Sequence, residues 1–212
     1  MLFVLGAGGF AKEVALAVAS TGDKIDGYLS DDPKQTGEKL VFGKCLGSIE
    51  AAAQVYSGER HSFVPGIGNP TVRRELVNRA LRMGWEPITI FDKDSLTSWD
   101  IANKAHFDFG MGSVFCRGTS VTVDIRVGNY VNVNLNCTLG HDCILEDYVN
   151  LSPSVNVSGY VHIEEDVDIG TGAVILPHVR IGKGAIIGAG AVVNKDVPAG
   201  EVWVGIPARK IK

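Results

Sequence analysis

Residues 134–148, NLNCTLGHDCILEDY, set a histidine and an aspartate side by side, His141 and Asp142, in a segment otherwise built of short polar and branched apolar residues. An imidazole, with an ordinary pKa of about 6.5, takes and returns a proton near neutral pH, and a neighbouring carboxylate holds the ring and stabilises its charged form. The pair therefore suits general-base work on a nucleophile such as an amine. A surface pair of this kind is more often solvated decoration than chemistry, so its meaning depends on what the fold lays against it.

That fold is written in a period of six. Stepping by six from Phe109 to Val193, every residue is apolar, and four places after each the residue is usually small or branched, from Thr119 through Cys137, Cys143 and Val155 to Val197. Ser113 is the polar exception. Neither a helical period of 3.6 nor a strand period of 2 explains the run, whereas hexapeptide repeats are the signature of a parallel β-helix. The pattern resembles the left-handed β-helix of the hexapeptide-repeat acyltransferases, in which three hexads make a coil, so fifteen hexads imply five coils.

Residues eighteen apart are then stacked neighbours at about 4.8 Å. His141 and Asp142 occupy a corner, and the same column continues through Gly159 and Tyr160, Pro177 and His178, and Lys195 and Asp196. A glycine beside the histidine leaves a notch and a backbone N–H open to a ligand, room for a thioester carbonyl.

The first hundred residues follow another grammar. MLFVLGAGGFAKEVALAVAS reads as a buried strand, a glycine turn and a helix; KIDGYLSDD and HSFVPGIG supply further strands. Asn69 caps a second helix with Pro70 at its first position, Val72, Leu76 and Ala80 as its apolar residues and Gly84 beyond its end. Alternating strands and helices imply a small parallel sheet. Gly6, Gly8 and Ala11 fit G-x-G-x-x-[GA], the turn that places phosphates at a helix N-terminus, and Asp31 and Asp32 lie where an acidic residue meets a ribose. The turn at 66–69 ends a strand and opens a helix, which puts it in the same crevice; Arg73, Arg74, Arg79 and Arg82 read as a solvated helix face. The expected architecture is an α/β, Rossmann-like βαβ domain over residues 1–100, followed by a left-handed parallel β-helix over 101–212.

LGHDCILEDYVNLSPSVNVSGYVHI closely resembles the sugar O- and N-acetyltransferases of bacterial surface-glycan and sialic acid pathways, and VWVGIPARKI resembles the segment that closes their β-helix beside the coenzyme. The likeness includes the glycine-rich N-terminal domain and covers nearly the whole chain. It implies that His141 is the general base, that Asp142 orients it, and that the Gly159 N–H binds the acetyl oxygen. Asn134 corresponds to an asparagine upstream of the base, and Asn150 stands where some relatives carry a second histidine near the acetyl group. Gly159, Ala189, Lys195 and Arg209 would meet acetyl-CoA, the cosubstrate. Gly8, Gly9 and Phe10 would face the diphosphate of a nucleotide-linked amino sugar, and Asp31 and Asp32 its nucleoside. The resemblance further implies a homotrimer with its active sites between neighbouring β-helices; Val174, Ile186 and Val192, outward-facing and apolar, fit a subunit contact.

The totals agree with a small-molecule enzyme. A formal net charge of -4 with no basic block argues against nucleic acid and anionic membranes, and the apolar opening is broken by Gly8, Gly9, Lys12 and Glu13, which argues against a leader or membrane span and for the cytoplasm. Cys45, Cys116, Cys137 and Cys143 form no CxxC pair and read as small core residues, leaving no nucleophile beside the base. Three other readings carry less. A dehydrogenase needs a complete dinucleotide fold and a catalytic half. A zinc-dependent γ-type carbonic anhydrase needs two histidines five residues apart, a spacing that His61, His106, His141, His162 and His178 do not contain. A non-enzymatic β-helix scaffold with a nucleotide-sensing head would turn over no acetyl-CoA. The expected activity is N-acetylation of a nucleotide-linked 4-amino-4,6-dideoxyhexose, with O-acetylation of sialic acid or a related sugar second.

Overall fold

The computed structural model describes residues 1–95 and 107–212, so His106 and the expected boundary between 100 and 101 lie outside the described residues. The N-terminal region runs β1 (Leu2–Leu5), α1 (Gly9–Ser20), β2 (Gly27–Leu29), β3 (Lys39–Leu40), β4 (Gly43–Lys44), α2 (Ile49–Val55), β5 (Ser62–Pro65), α3 (Pro70–Arg82) and β6 (Glu86–Pro87). Strands β2, β1, β5 and β6 form, in that order, a parallel sheet. The β3–β4 hairpin and α2 carry no strong periodicity and were not expected from the sequence.

Helix α3 starts as expected. Asn69 is its N-cap, with the side chain accepting from Val72 N at 3.1 Å, Pro70 follows, and Gly84 takes a positive φ beyond the end. Asn69→Ala is expected to cost about 1 kcal/mol of stability, read from the denaturant midpoint. The buried stripe, however, is Arg73, Val77 and Ala80, while Val72 is exposed. An arginine occupies the face that aliphatic spacing assigned to Val72 and Leu76, because the surface beneath it is a row of carbonyls rather than an apolar core.

From Phe107 the chain is a parallel β-helix with three faces. Face 1 carries five strands, from Phe107–Phe109 to Arg180–Ile181; face 3 carries five, from Ser120–Val121 to Val192–Val193. Face 2 belongs to an eight-stranded sheet that begins with β7 (Ile90–Phe91), continues from Val114–Phe115 to Ile186–Ile187, and ends with Val202–Val204 and the antiparallel Arg209–Lys210. Register follows the step of eighteen: Ser120 pairs with Thr138, Thr138 with Asn156 and Asn156 with Val174. The hexad residues fill one continuous apolar core that includes Cys137 and Cys143, and all four cysteines are buried and unbridged.

The stack breaks once. Ile181 pairs with Val197 rather than Ala199, and Ile187 with Trp203 rather than Gly205. Regular spacing would set Pro198, which has no N–H to donate, in the ladder beside Arg180. Lys195 and Asp196 consequently leave the expected corner column, and the Asp196 carboxylate instead accepts from Arg180 N at 2.8 Å.

The N-terminal domain sits on face 2. Phe10 and Leu135 pack into one apolar cluster with Val114 and Cys116, and β7 extends the sheet of that face.

Candidate active site

The corner between faces 3 and 1 is built as the repeat requires. Its second residue adopts the left-handed region in four successive coils, at Asp124, Asp142, Tyr160 and His178, with φ from 56° to 64°. Backbone bonds tie the column: Asp142 N donates to Val123 O (3.1 Å), Tyr160 N to His141 O (2.9 Å) and His178 N to Gly159 O (3.2 Å). Aspartate tolerates this conformation well, which leaves the preceding position, His141, free to project outward.

His141 Nδ1 lies 2.9 Å from Asp142 Oδ2, with 54% of the imidazole side chain exposed. Donation from Nδ1–H to the carboxylate selects the tautomer whose Nε2 has a free lone pair. Directly beside Nε2 is Gly159: a Cβ there would stand 2.7 Å from Nε2 and 2.6 Å from Cε1. The Gly159 N–H has no acceptor among the described residues. The base therefore lies beside a stretch of main chain whose N–H has no acceptor among the described residues.

Tyr160 meets the His141 ring edge-on at 5.0 Å and stacks on His178 at 4.9 Å, a ladder the spacing implied but composition did not flag. Cys143 is buried in the core, its thiol donating to Ser158 O, and burial pushes its pKa up to about 11. It is no nucleophile. His162 supplies a contrast: Nε2 lies 2.7 Å from Glu146 Oε1 on face 1, the same pairing of imidazole and carboxylate, but with no bare glycine against its ring.

The other expected site residues are distributed over the prism. Asn134 and Ala189 lie on the corner between faces 2 and 3, one corner away from His141. Asn134 Oδ1 accepts from Leu135 N at 2.7 Å. Asn150 is outward on face 2, buried beneath the N-terminal domain, and bonds Asn132 and Asp168 rather than any corner residue. Lys195 lies with its ammonium 5.0 Å from the Trp203 ring, and Arg209 is exposed at the C-terminal hairpin.

The glycine turns come together. Gly8 is the N-cap of α1 and provides no side-chain cap, so the first N–H groups of the helix are open near Gly9 and Phe10. Gly66 fits only as glycine, since a Cβ would lie 2.7 Å from Val4 Cγ1 and 2.8 Å from Ala11 Cα, and Ile67 packs where Gly6 lacks a side chain.

The arginines of α3 are not a solvated face, apart from exposed Arg82. Arg73 is fully buried; Arg74 pairs with Glu165 and Asp166 and covers the Tyr148 ring. Arg79 binds both Asp31 oxygens, at 2.5 and 2.9 Å, and Glu50 as well, and its hydrogen bond holds the Glu50 carboxyl down to about 2. Asp31 is thus tied to α3, while Asp32 Oδ1 accepts from Lys34 N at 2.9 Å. Each of these partners comes from a different element, so helical spacing alone carried no sign of them.

Residues 1–80 match the family model described as the PglD N-terminal domain, and residues 160–195 match the bacterial transferase hexapeptide model of six repeats. GDP-perosamine N-acetyltransferase of Escherichia coli O157:H7 is 37% identical over 91 residues, a stretch that spans 43% of this chain but only 38% of that enzyme. The acetyltransferase domain of PglB from Neisseria gonorrhoeae FA1090, solved with acetyl coenzyme A, is 30% identical, with 99% of this chain and 98% of that one covered and a TM-score of 0.88. A variant of GDP-perosamine N-acetyl transferase from Caulobacter crescentus, solved with CoA and GDP-perosamine, is 25% identical, with 100% and 96% covered and a TM-score of 0.89. Full-length likeness at this identity, together with both motif regions, places the chain: it belongs to the NeuD/PglD-like family of hexapeptide-repeat sugar acetyltransferases.

Proposed function

We propose that this protein is an acetyl-CoA-dependent N-acetyltransferase acting on the amino group of a nucleotide-linked 4-amino-4,6-dideoxy sugar. The observation that carries the reading is the unpartnered Gly159 N–H set against the free Nε2 of His141.

Nε2 accepts the proton of the sugar amine as its nitrogen attacks the thioester carbonyl carbon, while Asp142 holds Nδ1 and stabilises the imidazolium. The Gly159 N–H donates to the oxygen on which negative charge develops. As the carbon–sulfur bond breaks, the proton passes from the imidazolium to the departing thiolate. Attack is direct, in keeping with the high thiol pKa of buried Cys143.

Residues 1–100 hold the nucleotide and 101–212 hold coenzyme A, with Lys195 and Arg209 toward its phosphates. Within one chain Phe10, beside the Gly8–Gly9 turn, shares an apolar cluster with Leu135 at the corner between faces 2 and 3, and His141 stands on the next corner, so we assign each site to two chains of a homotrimer, His141 reaching a sugar held by its neighbour. The setting is the cytoplasm.

Thiol release from acetyl-CoA, measured against a panel of UDP-, GDP- and dTDP-linked amino sugars, tests the reading. Release that requires a nucleotide-linked 4-amino sugar is the expected result. Release with free sialic acid and none with the nucleotide-linked panel would replace N-acetylation by O-acetylation.

A further inference from the structure

The contact between the two domains contains a buried polar chain that no catalytic step uses. Arg73, with no exposed surface, donates from Nη1 to the carbonyls of Ile67 (2.9 Å) and Gly68 (2.7 Å), and from Nη2 to those of Tyr148 (2.5 Å) and Val149 (3.2 Å). It therefore rivets the 66–69 turn to the corner between faces 1 and 2. Burial lowers its guanidinium to about 10, which leaves it charged at neutral pH.

The Ile67 carbonyl has a second donor. Asn132 Nδ2 reaches it at 3.0 Å and also gives a hydrogen bond to Asn150 Oδ1 at 3.2 Å. Asn150 Nδ2 in turn donates to Asp168 Oδ1 at 2.7 Å. A carboxylate oxygen accepting from Asn150 fixes which end of that amide faces which neighbour, and the orientation then passes to Asn132 and to the Ile67 carbonyl. Asn150 is 6% exposed, with its oxygen and its nitrogen both engaged inside the protein.

We propose that Asn150 is a positioning residue for the nucleotide-linked sugar: acting through Asn132 on the Ile67 carbonyl, it sets the turn at 66–69, and it does not contact the acetyl group. The inference rests on the preceding reading, in which that turn lines the nucleotide site beside Gly8 and Gly9. Its physical content is a relay of direction. The turn lies between Gly6, whose missing side chain is the seat of Ile67, and the asparagine ladder of face 2, so a shift of one carbonyl changes the shape of both glycine turns.

Asn150→Asp tests it with almost no change in volume, because the substitution replaces the donor to Asp168 by an acceptor. Asn132→Ala removes the next member of the chain. Each variant is expected to raise KM for the nucleotide-linked sugar roughly tenfold and to weaken binding of the free nucleoside diphosphate, measured by calorimetry, by a similar factor. The double variant should be no worse than the more severe single one, as residues acting in series are non-additive. KM for acetyl-CoA and kcat at saturating sugar should stay within about twofold.

A fall in kcat or a rise in KM for acetyl-CoA, with nucleotide binding intact, would overturn the inference and return Asn150 to the acetyl group. Additive losses in the double variant would overturn it as well, since they would place the two amides in separate roles. If Asn150→Asp does not fold, Asn150→Leu, close to it in volume and with neither donor nor acceptor, serves in its place and is read against the same outcomes. Should the unaltered protein turn over no nucleotide-linked sugar, the preceding reading fails by itself, a result distinct from a variant whose nucleotide affinity is unchanged.

Discussion

Replacing His141 with asparagine is expected to lower kcat for acetyl transfer by about 10²-fold or more, the range for loss of a general base. The amide of asparagine fills similar space and still donates toward Asp142, but it does not take up a proton near neutral pH. The deficit corresponds to about 2.7 kcal/mol of transition-state stabilisation. Coenzyme A binding, followed by calorimetry, should be unaltered, because the imidazole is exposed on a corner, where it meets the Tyr160 ring edge-on rather than filling the core. Turnover within threefold of the unaltered enzyme would remove His141 from the mechanism.

Gly159→Ala should be nearly as damaging for a different reason. The Gly159 backbone lies outside the left-handed region, so alanine is conformationally allowed there. What fails is space: the added methyl would stand 2.6 Å from His141 Cε1 and 2.7 Å from Nε2. The exposed ring can swing aside, sparing the fold, but it then leaves the N–H it was paired with in space. Displacement of a catalytic group by about 1 Å costs on the order of 10²-fold in rate. We expect kcat to fall by about that factor with the melting temperature changed by only a few degrees. A variant with normal kcat would show that the base and this stretch of main chain do not act together.

Much of this corner's geometry is legible in the sequence. In a β-helix each strand pairs with the one eighteen residues on, so a sequence offset is a spatial contact, and the placing of Gly159 beside His141 follows from counting. The count fails only after Val193, where Pro198 shortens the coil and moves Lys195 out of its column. In the N-terminal domain, period and capping located β1, α1, β2, β5 and α3, and Asn69 with Pro70 marked the start of α3 correctly. The same periodicity misassigned the helix's buried face, because burial of Arg73 depends on carbonyls contributed by residues 148 and 149.

Sequence by itself determined the β-helix, the corner column of His141, Asp142, Gly159 and Tyr160, and the glycine turn at the head of α1. These are local or strictly periodic, so chain distance stands in for distance in space. Tertiary structure alone decided the partners of Arg73, Arg74 and Arg79, the engagement of Asp31, and the burial of Asn132 and Asn150 under the 66–69 turn. The Arg79 pairs with Asp31 and Glu50 join separate elements of the first domain, and the others join two domains that share no common period, so only tertiary packing brings these polar groups into register.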